Sequence, residues 1–276
     1  MHLVLQGDDV ETIDLKRVAK LTAARGIERI SDRAFRLLDA QANPELAAAC
    51  DEAHLDWAFV PRERRFSDFR LLAMDMDSTL ITIETIDELA DLVGRKAEVA
   101  AVTEAAMRGE IEYDESLRRR VAVLAGLPEE ALQRVYDERV KLTPGAEKLL
   151  AAARTAGLST LLVSGGFTYV TDRLKSKLHL DYTRSNCLEI VDGKLTGRIV
   201  GTIVNAEGKR DALIEARDRL GIDRERMIGI GDGANDLKFM AECAVSIAYH
   251  AKPIVRSQTT HAINYVDLSG VLNLFH

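Results

Sequence analysis

The chain has 276 residues, 47% hydrophobic and 29% charged, with a formal net charge of −7. That composition supplies a sizeable core, and its acidic balance excludes a nucleic-acid partner, which needs a basic stripe. No apolar stretch approaches the roughly 20 residues that span a bilayer, the amino terminus lacks the regions of a secretory signal, and three scattered cysteines suit reduced thiols in the cytoplasm.

Leu3 to Leu5 reads as a short strand and Ile13 to Ala24 as a helix stopping near Gly26. A mixed segment from Ile27 to Leu38 follows, then a helix from Leu46 to Ala53 and a strand end at Trp57 to Val60, closed by Pro61. This β-α-β-α-β unit, residues 1–68, is small for an independent core. Pro61 to Arg65 is its expected linker to a second domain at 69–276.

The second domain has a different rhythm. Leu71 to Met74, Thr160 to Val163 and Met227 to Ile230 are continuous apolar runs, each followed by a Gly- or Asp-containing turn and a helical pattern. Such runs predict an α/β fold built on a doubly wound parallel (Rossmann-like) sheet. Between the first two runs lies a helical block from Glu84 to about Ala156. Its first helix places Ile86, Leu89, Ala90 and Val93 on one face, and Pro128 before Glu129 and Glu130 starts another. The block is too long for a crossover, so a helical cap is expected at about 82–143. Asp192-Gly193 between two apolar runs predicts a hairpin.

In open α/β sheets ligands bind beyond the carboxyl ends of the strands. Asp75 and Asp77, two apart after the first run, can face one point, and two such anions call for a cation. Ser164-Gly165-Gly166 after the second run offers a hydroxyl and close backbone approach, as a phosphate requires. Gly231 to Asp236 after the third run brings more carboxylate, and Lys209 can serve as a point charge. Each feature taken alone is a turn, a flexible loop or a surface lysine more often than a site. Their shared edge makes them a cation site beside an anion site. Three rival patterns fail. In the G-x-G-x-x-A run at Gly229 to Ala234, Asp232 would repel a pyrophosphate; Leu80 stands where a calcium loop needs glycine; and no P-loop occurs.

Asp75-Met76-Asp77-Ser78-Thr79, Ser164-Gly165-Gly166, Lys209 and Gly231-Asp232-Gly233-Ala234-Asn235-Asp236 resemble the four motifs of the haloacid dehalogenase superfamily. Glu84 to Glu88, Ser116 to Val121 and Val163 to Phe167 are similar to its members that hydrolyse phosphoserine. The resemblance covers about residues 70–270, and it implies magnesium-dependent hydrolysis of O-phospho-L-serine through an aspartyl-phosphate, the last step of serine biosynthesis. Another small phosphomonoester, such as phosphothreonine, is the alternative, acted on by a phosphatase or a phosphotransferase.

Carried onto this sequence, the resemblance makes Asp75 the nucleophile and Asp77 the general acid and base. Asp75, Asp232 and the Asp77 carbonyl hold the magnesium. Ser164, Gly165 and Lys209 bind the phosphoryl group, Asn235 supports the phosphate and metal shell, and Asp236 orients Lys209. Glu84 faces the substrate ammonium, Arg120 its carboxylate, and Met107 and Tyr113 form an apolar wall, with Tyr113 standing where the family more often has phenylalanine. Without the resemblance, Glu84 reads as a helix-start acid and Arg120 as a surface arginine. Residues 1–68 resemble a degenerate ACT-type, ferredoxin-like module, the expected route to any homodimer or response to serine.

Overall fold

A computed structural model describes all 276 residues, Met1–His276. The amino-terminal part runs β1 (His2–Gln6), α1 (Thr12–Leu21), β2 (Gly26–Ser31), β3 (Ala34–Leu38), α2 (Leu46–Glu52) and β4 (Asp56–Val60). There follow β5 (Leu71–Met74), the helices α3 (Thr85–Leu92), α4 (Lys96–Met107), α5 (Tyr113–Ala122) and α6 (Glu130–Glu138), and then α7 (Ala146–Thr155). The chain continues through β6 (Ser159–Phe167), α8 (Thr168–Leu178), β7 (Tyr182–Val191), β8 (Lys194–Val200) and α9 (Ala206–Leu220). It closes with β9 (Met227–Gly231), α10 (Leu237–Met240), β10 (Val245–Tyr249), α11 (Pro253–Arg256) and β11 (His261–Ile263). By compactness it divides into Met1–Leu72 with Pro144–Ser159 and Ile222–His276, and Ala73–Thr143 with Thr160–Gly221.

The larger sheet has the order β11-β10-β9-β5-β6-β7-β8. Every residue of β5, β9 and β10 is buried, as strands covered on both faces require. β9, β10 and β11 pair in parallel, as do β6 and β7, while β8 returns antiparallel across the Asp192-Gly193 turn. The predicted strand at Thr160 to Val163 is longer than expected. β6 runs on to Phe167, and its pairing with β7 slips between Val163 and Phe167, so Ser164-Gly165-Gly166 forms a bulged strand end instead of a free turn.

In the first unit, residues 1–68 form an antiparallel sheet of order β2-β3-β1-β4. The sequence reading missed one strand there: Ile27 to Leu38 is a hairpin, which makes the segment β-α-β-β-α-β and ferredoxin-like. β2 is an edge strand with exposed Ile27, so its apolar alternation is weak. Leu3, Leu5, Leu15, Val18, Leu37, Leu46 and Cys50 form its core. Buried Asp56 ties β4 to the segment after β11 by accepting from the Asn264, Tyr265 and Val266 amides at 2.7, 2.9 and 3.3 Å. Arg36, 4% exposed, donates to the Phe275 carbonyl at 2.8 Å. These ties offset the small core.

His261 on β11 carries a measurable consequence. Burial, reinforced by Arg64, holds its imidazole down at about 4 against an ordinary 6.5. Between those values the unfolded chain binds a proton that the folded chain excludes, so stability falls as pH drops from 6.5 toward 4. The full loss is roughly 3 kcal/mol. Urea titrations at pH 7.5 and 4.5 should show His261→Gln losing less stability than wild type by most of that amount. Asp56, raised by burial, titrates the opposite way but equally in both proteins. Equal losses in the two proteins would sink the assignment.

In the second unit, α3 to α6 rise between two crossing chain segments. Thr82 N–H donates to the Lys141 carbonyl and Thr143 N–H to that of Leu80, both at 3.0 Å, around an Ile81–Leu142 bridge. The core of these helices (Leu89, Val99, Leu117, Val121, Leu132, Val135) continues into Phe167, Leu188 and Leu195. Gly126 N–H donates to the Leu195 carbonyl, Leu195 N–H to Leu127, and Glu129 N–H to Gly193, so the helices are stitched to the β7–β8 hairpin.

Candidate active site

β5 delivers the chain to Asp75, which caps the following turn: Met76 N–H donates to its Oδ1 at 2.8 Å. Lys209 Nζ, from the first turn of α9, donates to the same oxygen at 2.7 Å. Asp75 is 5% exposed and Lys209 fully buried, so each charge offsets the other's desolvation. The turn closes through Ser78, whose φ of 56° is left-handed, and the Ser78 hydroxyl donates to Glu84 Oε1 at 2.7 Å.

That turn swings Asp77 inward, where Thr85 Oγ1 donates to its Oδ1. Burial, then the nearby Glu84 charge, lift the Asp77 carboxyl well above the usual carboxylate range, against the pull of Thr85 and Lys209. Such a group holds a proton at neutral pH and can give it up. Glu84 is also raised, first by desolvation and then by Asp87, although part of its surface is accessible; Ser78 and Arg120 pull the other way. Arg120, near the end of α5, has a buried Nε with no hydrogen-bond partner. An unpaired buried guanidinium N–H is costly and is suited to meet an anion.

The bulged end of β6 supplies the third part. Ser164 is 1% exposed, and Gly166 N–H donates to its Oγ at 2.8 Å. A Cβ at Gly166 would lie 2.9 Å from Asp77 Oδ2 and 2.7 Å from Met76 Cε, so a side chain there would displace the acid. Tyr113 Oη covers Gly165 so closely that a Cβ there would sit 2.2 Å from it. Buried Asn186 on β7 secures the loop: its Nδ2 donates to the Gly165 carbonyl and its Oδ1 accepts from Val204 N–H, both at 2.8 Å.

In the first unit, the turn after β9 folds back on itself, with Gly233 N–H donating to buried Asp236 Oδ2 at 3.0 Å and Asn235 Oδ1 pressed against Gly233. Asp232 and Asp236 bring two carboxylates to this turn, oxygen donors of the kind a hard divalent cation takes. Asp236 is expected to orient Lys209, and Asp77 to contribute only its carbonyl to a metal.

Of the residues singled out from the sequence, Asp75, Asp77, Glu84, Ser164, Gly165, Lys209, Tyr113 and Arg120 all lie in the second unit around this turn and strand end. Met107 stands 65% exposed at the end of α4. Thr85 and Asn186 were missed: a threonine at a helix start and an asparagine within a strand carry no signal that separates them from ordinary residues.

The haloacid dehalogenase-like hydrolase profile matches residues 72–241. The chain belongs to this family. Residues 3–49 match a domain of unknown function. Among relatives of this hydrolase, the phosphoserine phosphatase of a Polaromonas species is 56% identical over 76% of this chain and 91% of its own. The crystal structure of a family hydrolase from Salmonella enterica serovar Typhi superposes with a TM-score of 0.89 at 33% identity, covering 100% of this chain and 99% of its own. That of a "probable phosphoserine phosphatase" from Vibrio cholerae superposes at 0.87 and 35% identity, covering 99% and 86%.

Proposed function

We propose that this hydrolase converts O-phospho-L-serine and water to L-serine and phosphate. The observation that carries the substrate is the buried, unpartnered Arg120 Nε on a guanidinium that acts on Glu84. One cation and one anion near each other match the carboxylate and ammonium of an α-amino acid, and relatives at 41–56% identity carry the name phosphoserine phosphatase.

Asp75 attacks phosphorus in line with the seryl oxygen and forms an aspartyl-phosphate, which splits one hard hydrolysis into two easier steps. Asp77 gives its proton to the departing oxygen, then takes one from the water that cleaves the acyl phosphate. Ser164 Oγ, the Gly165 amide and Lys209 Nζ stabilise the phosphoryl oxygens as charge develops, and Asn235 supports the phosphate. Asp75, Asp232 and the Asp77 carbonyl would hold a magnesium ion, which would supply positive charge to the phosphoryl group. Met107 and Tyr113 wall the substrate side chain. Residues 1–68 support homodimer assembly, and the enzyme works in the cytoplasm on free phosphoserine as part of serine biosynthesis. No helix is long and apolar enough to cross a membrane.

The test is phosphate release from phosphoserine against a panel of phosphomonoesters that includes phosphothreonine, with magnesium and with chelator. Arg120→Ala should lower kcat/KM for phosphoserine by roughly 10- to 100-fold, the worth of hydrogen bonds to a charged partner. Phosphoethanolamine, which lacks the carboxylate, should be hydrolysed at an unchanged rate. Equal losses on both substrates would reject Arg120 as the carboxylate contact.

A further inference from the structure

The site that binds phosphate is shut. Asp75 is 5% exposed, Ser164 1% and Lys209 0%, and Tyr113 Oη lies directly over Gly165. A substrate larger than water must enter and two products must leave, so whatever covers the loop has to lift in every turnover. The cover is the first turn of α5, and a long-range polar contact ties that turn down. Asn205 Nδ2 donates to Asp114 Oδ1 at 3.0 Å across 91 positions of sequence.

The partner is as informative as the contact. Asn205 is the N-cap of α9: its Oδ1 accepts from Gly208 N–H at 3.0 Å and its carbonyl from Lys209 N–H at 2.8 Å. One amide group therefore starts the helix that carries Lys209 with its oxygen and grips α5 with its nitrogen. Both side chains are half-buried, which keeps the hydrogen bond to the Asp114 carboxylate strong while leaving it able to break.

We propose that Asp114 is a positioning residue, a latch that closes α5 over the phosphate loop by docking on the N-cap of the Lys209 helix. This role rests on the phosphatase reading of the site. Closing brings Tyr113 over Gly165, and by gripping Asn205 the latch steadies α9 at the turn where Lys209 reaches Asp75. Docking and alignment of the cation thus occur together, and opening releases both.

The contact can be inverted without losing the cap. Asn205→Asp keeps an N-capping oxygen, since aspartate and asparagine cap helices equally well, but it replaces the donor facing Asp114 with a like charge. Adding Asp114→Asn restores a hydrogen bond in the opposite sense. Asn205→Asp should lower kcat/KM for phosphoserine about tenfold, mainly through KM, the scale of one hydrogen bond to a charged group. Amide exchange of Ser116 to Arg118, measured without substrate, should rise by a similar factor. The double variant should return both readouts to within about threefold of wild type, and Asp114→Asn alone, which keeps an acceptor, should lie near wild type.

A double variant no better than Asn205→Asp, or exchange unchanged by Asn205→Asp, overturns the latch. Exchange is read without turnover, so a wild-type chain inactive on phosphoserine rejects the substrate reading and leaves exchange to decide the latch.

Discussion

Asp75→Asn reduces kcat for phosphate release from phosphoserine by roughly 10⁴-fold or more, as removal of a nucleophile does, while leaving a folded protein. The carboxamide oxygen can still accept from Met76 N–H, so the capped turn after β5 survives. What disappears is the negative charge beside fully buried Lys209. Stripping a buried ion of its partner costs about 3–5 kcal/mol. The loss here is smaller, because the unpaired Lys209 ammonium favours ionisation of the Asp77 carboxyl, which already lies in its field. Activity and stability should therefore move by very different amounts. Circular dichroism and urea melts would read a moderate destabilisation, and phosphate release would read near-extinction. Turnover within tenfold of wild type would remove Asp75 from the role of nucleophile.

The second large effect belongs to Lys209. Lys209→Met keeps the length and apolar stem of the side chain but removes its charge. Two consequences follow at the same atoms: the phosphoryl oxygens lose a preorganised cation, and Asp75 loses the group that favours its ionised, nucleophilic form. A fall in kcat of roughly 10²–10³-fold is expected from the first alone, by the scale of removing one oxyanion donor. Lys209→Arg should not rescue it, because a planar fork does not fit a cavity that leaves lysine no exposed surface. Single-turnover assays would separate the steps: both formation and breakdown of the phosphoenzyme should slow. A Lys209→Met variant retaining a third of wild-type kcat would make the ammonium a structural counter-ion only.

Much of the site was legible because its parts follow local rules. Asp75 and Asp77 lie two apart after an apolar run, Ser164-Gly165-Gly166 carries its glycines in sequence, and Asp192-Gly193 announces the β7–β8 turn. The hairpin at Ile27 to Leu38 was not legible. Its edge strand exposes Ile27 and Glu28, so the alternation that marks a half-buried strand is blurred. The end of β6 was misjudged for a different reason: serine and glycine read as a turn, yet pairing of Phe167 with Asn186 holds them extended.

By itself, then, the sequence determined the parallel α/β framework and the order of the acidic and glycine-rich turns. Apolar runs, strand parity and turn chemistry act over a few residues and are readable along the chain. Only the tertiary structure decided that Lys209 Nζ meets Asp75 across 134 positions, that Asn186 holds Gly165 across 21, and that Asp114 docks on Asn205 across 91. It also decided that Arg120 Nε is buried without a partner, which no local pattern encodes. Each of these depends on desolvation and on the approach of distant segments, quantities that come into being only when the chain packs.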